Sequence, residues 1–271
     1  MYRQSLKKWL NLSEQCIDNI TIFCVILILS SWIIKIVMKK KRNKNNKSEI
    51  FESRSLEFSK ELDSPVDFGY KCEWLAIKTE DTHSVVDYLG LEVLDYANWE
   101  SGIYNAYDYK NKIVFVTPPV DGWTFVVSRN MSSFIGHVST PEYAEKYIKN
   151  CERLASKIPN FYHFATCRIV GFSSWVFAKN GKVTRAFGFS EGNITCNFGA
   201  ETKTELGLGL TNFIDFSSDE AKNDDNYGEQ ENLKWPDEVD VVNLSITMTT
   251  NHMNFGNYPN SKTLGVMLKA N

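Results

Sequence analysis

His163 and Cys167 are the residues whose chemistry is most direct: an imidazole and a thiol four positions apart, with Arg168 beside them. A cysteine–histidine pair can act as nucleophile and base. The stretch reads as a strand, however, and residues four apart on a strand share a face at about 13 Å separation. No dyad forms unless the chain folds back. The other histidines, His83, His137 and His252, are scattered, and the six cysteines (Cys16, Cys24, Cys72, Cys151, Cys167, Cys196) include no CxxC pair, the usual mark of a metal or redox site. Gly207 and Gly209 form a GxG without its third glycine, and no GxSxG, HExxH or Walker loop occurs. A calcium loop with Gly228 in sixth place would have Asn223 first and Asp225 third, but Tyr227 fifth and Lys234 twelfth, so the bidentate glutamate is missing. The sequence thus offers no catalytic residue, metal ligand set or cofactor motif, and it reads as a non-enzyme.

Charge says more about partners. Residues 1–48 carry ten basic and two acidic residues, leaving twenty basic against thirty-one acidic for 49–271, a net charge of −11. Phosphate backbones are bound by neutralising lysines and arginines, so nucleic acid is excluded as a partner. A basic protein would be drawn to such a surface. Candidate contacts are Asp121 and Trp123, in a turn stiffened by Pro118 and Pro119, and Asp219, Glu220, Asp224 and Asp225. The last four lie in the polar stretch 217–235, which reads as an exposed mobile loop.

The elements that must position these residues begin with an apolar run, Ile20 to Met38, after a short polar leader of residues 1–16. It predicts a transmembrane helix over 17–38, with Ile20, Phe23, Leu27 and Leu29 in the hydrocarbon and Trp32 at the interface. Lys39, Lys40, Lys41 and Arg42 follow at once. They would sit on anionic lipid and set the soluble part on the cytoplasmic side of a bacterial inner membrane, single-pass. Free thiols in a reducing compartment agree with that side. Residues 39–65 read as a tether and 66–271 as one acidic α+β domain.

Within the domain, Lys71–Lys78 reads as a strand and Ser84–Leu91 as a helix with Thr79 as its cap. Lys112–Thr117 and Trp123–Val127 read as strands about the Pro-Pro turn, and Thr140–Lys157 as an amphipathic helix. Phe161–Val170 is a further strand. Asn180-Gly181 between Ser174–Lys179 and Lys182–Phe189 predicts a two-residue hairpin, since both turn positions need positive φ. Asn193–Phe198 adds a strand, a helix starts at Pro236, and Leu264–Leu268 closes the chain. The predicted fold is α+β: one N-terminal spanning helix, then a mainly antiparallel sheet with two or three helices.

The series Trp74-Leu-Ala-Ile-Lys, Asn98-Trp99, Val116-Thr-Pro-Pro-Val-Asp-Gly-Trp123, His163-Phe-Ala-Thr-Cys-Arg168, Trp175, Asn180-Gly181, Arg185, Glu205-Leu-Gly207 and Pro236-Asp-Glu-Val239 resembles a family of poorly characterised bacterial proteins. These are often encoded beside polymorphic or contact-dependent toxin genes. The resemblance spans roughly residues 72–250, with Cys167 where a histidine is expected, and it brings no catalytic residues. It implies a membrane-anchored immunity or self-recognition protein that binds and neutralises a cognate toxin or effector. The alternative is a membrane-bound ligand sensor or enzyme, its pocket lined by aromatics around Trp99, Tyr104 and Trp123.

Overall fold

Ile113–Val116 and Thr124–Ser128 are apolar or small at every position, a pattern a strand tolerates when both of its faces are covered. The computed structural model, which describes residues 58–256 and 258–270, shows that arrangement. Nine strands form one antiparallel sheet: β1 (Glu73–Ile77), β2 (Glu92–Ala97), β3 (Ile113–Val116), β4 (Thr124–Ser128), β5 (Phe161–Cys167), β6 (Phe172–Lys179), β7 (Lys182–Ser190), β8 (Asn193–Phe198) and β9 (Gly265–Lys269). Their spatial order is β2-β9-β3-β4-β1-β5-β6-β7-β8, with β1 at the centre.

One face carries Trp74, Phe125, Phe164, Trp175, Phe187 and Met267. It is covered by α2 (Trp99–Ala106) and α6 (Glu238–Met248). The other face carries Leu75, Val114, Val126, Val176 and Leu268, beneath α1 (Thr82–Leu89) and α3 (Ala144–Ala155). Two short helices, α4 (Lys203–Gly207) and α5 (Asp219–Asn223), complete the described residues. The mixed α+β architecture on an antiparallel sheet is as the sequence predicts, with six α-helices among the described residues in place of two or three.

Corrections fall at the N-terminus. No helix among the described residues is long and apolar enough to cross a membrane. The longest, α3, has 12 residues, about 18 Å against a hydrocarbon core of about 30 Å. The run 17–38 expected to span, and the basic cluster Lys39–Arg42, lie outside the described residues. The single-pass inner-membrane placement, and with it both readings of a membrane-bound protein, therefore find no support among the described residues and are not carried further. Residues 59–63, ahead of Val66, pack onto the start of α2: the Asp63 carboxylate accepts from the Trp99 and Glu100 N–H groups at 2.8 Å each. The Asn98 side chain caps the same helix by accepting from Ser101 N–H at 3.1 Å.

Two buried polar networks fix the layers. The first centres on Arg185, which shares the Trp175 face with Phe187 and Phe189 by regular alternation. The register of β6 and β7 slips between Phe177/Ala178, so that Val183 and Arg185, two apart in sequence, point to opposite faces. Arg185 enters the Trp175 face with only 1% of its side chain exposed and meets Glu205, 0% exposed, at 2.8 Å. Glu205 also accepts from Trp175 Nε1 at 2.7 Å and, through its other oxygen, from the Thr202 N–H at 2.7 Å, which closes a capping box on α4. Arg185 Nη1 donates to Asn197 Oδ1 and to the carbonyls of Phe198 and Gly199.

In the second network Trp74 Nε1 donates to Ser245 Oγ at 3.0 Å, and the same hydroxyl lies 2.9 Å from His252 Nε2. His252 Nδ1 reaches the Phe68 carbonyl at 2.8 Å. The chain closes if Nδ1 carries the proton and Nε2 accepts, the neutral tautomer. Burial accordingly pushes the His252 pKa down to about 4.

Removing one charge of a buried pair strands the other, so Glu205→Gln is expected to lower unfolding stability by about 3–5 kcal/mol; urea denaturation would measure it, and a loss under about 1 kcal/mol would show the pair to be dispensable. Because the folded His252 pKa lies below its unfolded value of 6.5, its contribution is full above that value and is lost as pH falls toward about 4. Between those limits, thermal melts of the wild type should fall more steeply with acidification than those of His252→Gln; parallel curves would contradict the assignment.

Candidate functional site

The structure places the sequence candidates in three settings. Asp121 and Trp123 do not make an outward pair. Val120 and Trp123 bridge across a two-residue turn with Asp121 and Gly122 both at positive φ, and Trp123 is 9% exposed in the core. The Asp121 carboxylate accepts from Thr250 Oγ1 at 2.7 Å and from the Tyr258 hydroxyl. That contact raises the Tyr258 pKa. The Pro-Pro turn therefore clasps the segment 250–258.

His163 and Cys167 have separate surroundings. His163 is buried beneath α3, with Nδ1 2.6 Å from the Tyr147 hydroxyl and Nε2 3.6 Å from Glu73 Oε2. Burial lifts the Tyr147 pKa well above its ordinary value. Cys167 ends β5 at the surface side. Burial pushes the Cys72 and Cys151 thiols up to about 12, which leaves them protonated and poor nucleophiles.

The acidic candidates lie on a built segment. Residues 217–235 carry α5, capped by Ser218, and a 3-10 turn at Tyr227–Glu229. Tyr227 is buried, its hydroxyl accepts from the Asp215 N–H at 3.1 Å, and its ring lies 6.0 Å from Phe216. Lys234 N–H donates to the Asn212 carbonyl at 2.8 Å, and Ile214 N–H to that of Lys234 at 2.9 Å. Asp219 pairs with Lys222 at 3.0 Å, and Asp224 accepts from Gln230 Nε2 at 2.9 Å. Glu220 and Asp225 are exposed.

What this segment frames was not legible beforehand. β5 ends, β6 begins, β7 ends and β8 begins at the same end of the sheet. The connection from β5 to β6 leaves Ile169 75% exposed and Val170 half exposed. The turn from β7 to β8 holds Gly192, whose carbonyl accepts from Phe216 N–H at 3.0 Å. Phe216 and Trp235, both about half exposed, lie 6.3 Å apart, and Trp235 rests edge-on against Phe189 at 5.4 Å. Ser173 Oγ donates to the Pro236 carbonyl at 3.4 Å, and Arg168 meets Glu238 at 3.6 Å, joining the two groups. Large apolar side chains thus cluster on one exposed end of the sheet, next to Asp219, Glu220, Asp224, Asp225, Glu229 and Glu231 in sequence.

Among the described residues no group of three or more histidine, cysteine, aspartate or glutamate side chains could hold a metal ion. Three of the residues that carry the resemblance, Trp175, Arg185 and Glu205, meet in the buried Arg185 network. No protein-family model, curated protein or solved structure matches this chain.

Proposed function

We propose that this chain is a protein-recognition module rather than an enzyme, and that it binds a basic protein. The docking face is the exposed apolar end formed by Ile169, Val170, Phe216 and Trp235, with the acidic segment 217–235 as its rim. The observation that carries the reading is the joint exposure of these four side chains on ordered elements. Clustered exposed apolar groups rimmed by charge mark interaction sites, and an aromatic anchor of the Trp235 kind supplies much of the energy in such contacts. The net charge of −11 over residues 49–271 selects the sign of the partner. A toxin or effector protein with a basic surface, the partner that the resemblance implies, belongs to this class.

In this arrangement the two parts of the face have different duties. Apolar burial holds the complex and sets its lifetime, whereas the carboxylates steer the encounter and respond to salt.

The test is quantitative capture from the native host with the tagged full chain, at low salt and at about 0.5 M salt. The expected outcome is a basic protein retained at low salt, its yield lowered at least about tenfold by Trp235→Ala. Reversal of Asp219, Glu220, Asp224 and Asp225 to lysine should abolish the salt dependence as well as lower the yield. Capture indifferent to both sets of changes, from variants with unaltered melting, would exclude this face.

A further inference from the structure

A concavity elsewhere among the described residues uses none of the residues of the docking face. It is an open cleft of about 660 Å³ beside α2, with Asp67 to Tyr70 on one side, Tyr104 and Tyr107 to Lys110 on another, and Arg129 and Met253 closing it. Phe68 and Ile103, both buried, form its apolar back. We propose that this cleft binds a small planar molecule carrying an anionic group, phosphate or carboxylate, with the ring laid on the tyrosines and the anion held by Arg129.

Three observations carry the assignment. The first is aromatic exposure. Tyr104 is 76% exposed and Tyr109 60%, and Tyr70 also shows part of its ring. Exposed tyrosine faces around a concave apolar floor are suited to stacking a flat ligand. Tyr107, between them, is committed elsewhere: its hydroxyl accepts from Gly69 N–H at 3.1 Å and donates to Cys72 Sγ at 3.2 Å.

The second is Arg129. It follows β4 directly, and its N–H donates to the Ala106 carbonyl at 3.0 Å, which fixes its Cα against α2. Its half-buried guanidinium lies 5.9 Å from the centre of the Tyr109 ring and reaches the Tyr107 carbonyl only at 3.5 Å. It makes no ion pair with any described residue. A planar fork of donors held beside an aromatic face, without a carboxylate of its own, is a receptor for a carboxylate or phosphate. Lys110, whose ammonium is also 5.9 Å from the Tyr109 ring, adds positive charge at the same place.

The third is the use made of the two carboxylates in the wall. Asp67 Oδ1 accepts from Phe255 N–H at 2.7 Å, and Asp108 Oδ1 accepts from Lys110 N–H at 2.9 Å. Both hold backbone in place, and neither neutralises Arg129.

The volume suits a ligand of mononucleotide size, within the range of about 300–1,000 Å³ for small-molecule sites. Isothermal titration of the full chain with adenosine 5′-monophosphate, indole-3-acetate, adenosine and inorganic phosphate separates the contributions. The proposal expects saturable binding of one or both of the ring-bearing anions, with adenosine and phosphate alone each at least about tenfold weaker. Nucleotide binding without indole-3-acetate would assign the phosphate class, and the converse the aryl carboxylates. Arg129→Gln should weaken the bound probe at least about tenfold, and Tyr109→Ala several-fold, while Tyr88→Ala, outside the cleft, leaves it unchanged. Should Arg129→Gln fail to fold, the comparison of the anion with adenosine on the wild type still decides. No saturation by either anion below about 5 mM, or equal affinity for the nucleotide and adenosine, would overturn the proposal.

Discussion

The buried Arg185 guanidinium, on the Phe187 face of β7, is the constraint on which the functional end of the molecule rests. A guanidinium in the core is tolerated only with full pairing. Here the partners come from four places: the Glu205 carboxylate on α4, the Asn197 side chain, and the carbonyls of Phe198 and Gly199 at the end of β8. The result is a knot joining β6, β7 and β8 to the chain that follows. Residues 209–216 leave from this knot, and they deliver Phe216 to the turn between β7 and β8. The exposed end of the sheet is therefore positioned by the least exposed charges in the domain.

Covering both faces of the sheet has a further consequence. With α2 and α6 on one side and α1 and α3 on the other, the broad faces of the sheet are spent on the core, and recognition is left to its end and to the connections there. Two of the places where aromatic side chains stay exposed have the surroundings of a binding site. The Ile169–Trp235 end is apolar with acidic neighbours, whereas the cleft beside α2 is aromatic with Arg129 and Lys110. Their chemistries differ enough that one chain can bind a protein at the first and a small anion at the second.

Much of the central sheet was legible in the sequence because its signals are local. Asn180-Gly181 has both residues at positive φ, as its hairpin demands, and Asn193–Phe198 is a strand over its predicted length. The helix that follows β1 was found with the wrong cap: Asp81 accepts from Ser84 N–H, while Thr79 receives the N–H of Asp81. Other elements were hidden. Gly102 argues against a helix at 99–106, yet a Cβ there would lie 2.3 Å from the Phe115 ring, so close packing requires the glycine that lowers the propensity. Arg185 alternates with Phe187 and Phe189 toward the covered face, but its charge reads as surface, and only the partners Glu205, Asn197 and the carbonyls of Phe198 and Gly199, brought together by tertiary structure, satisfy it there. Asp121 and Trp123 looked like a presented pair because no sequence pattern reveals that Thr250 and Tyr258 come across to meet the carboxylate. The docking face was invisible for a related reason. Ile169 and Val170 read as the end of a strand, and their neighbours Phe216 and Trp235 lie more than forty positions away.

The central claim is that the Ile169–Trp235 end is a protein contact, and site-specific photo-crosslinking in the native host addresses it directly. A photoreactive amino acid would replace Phe216 or Trp235 in one set of cells and the exposed Tyr88 on α1 in another. The account predicts one basic protein joined from both positions of the face, lost at high salt, and not joined from Tyr88. Crosslinks that are the same from all three positions, or none from the face while Tyr88 gives a specific product, would contradict it.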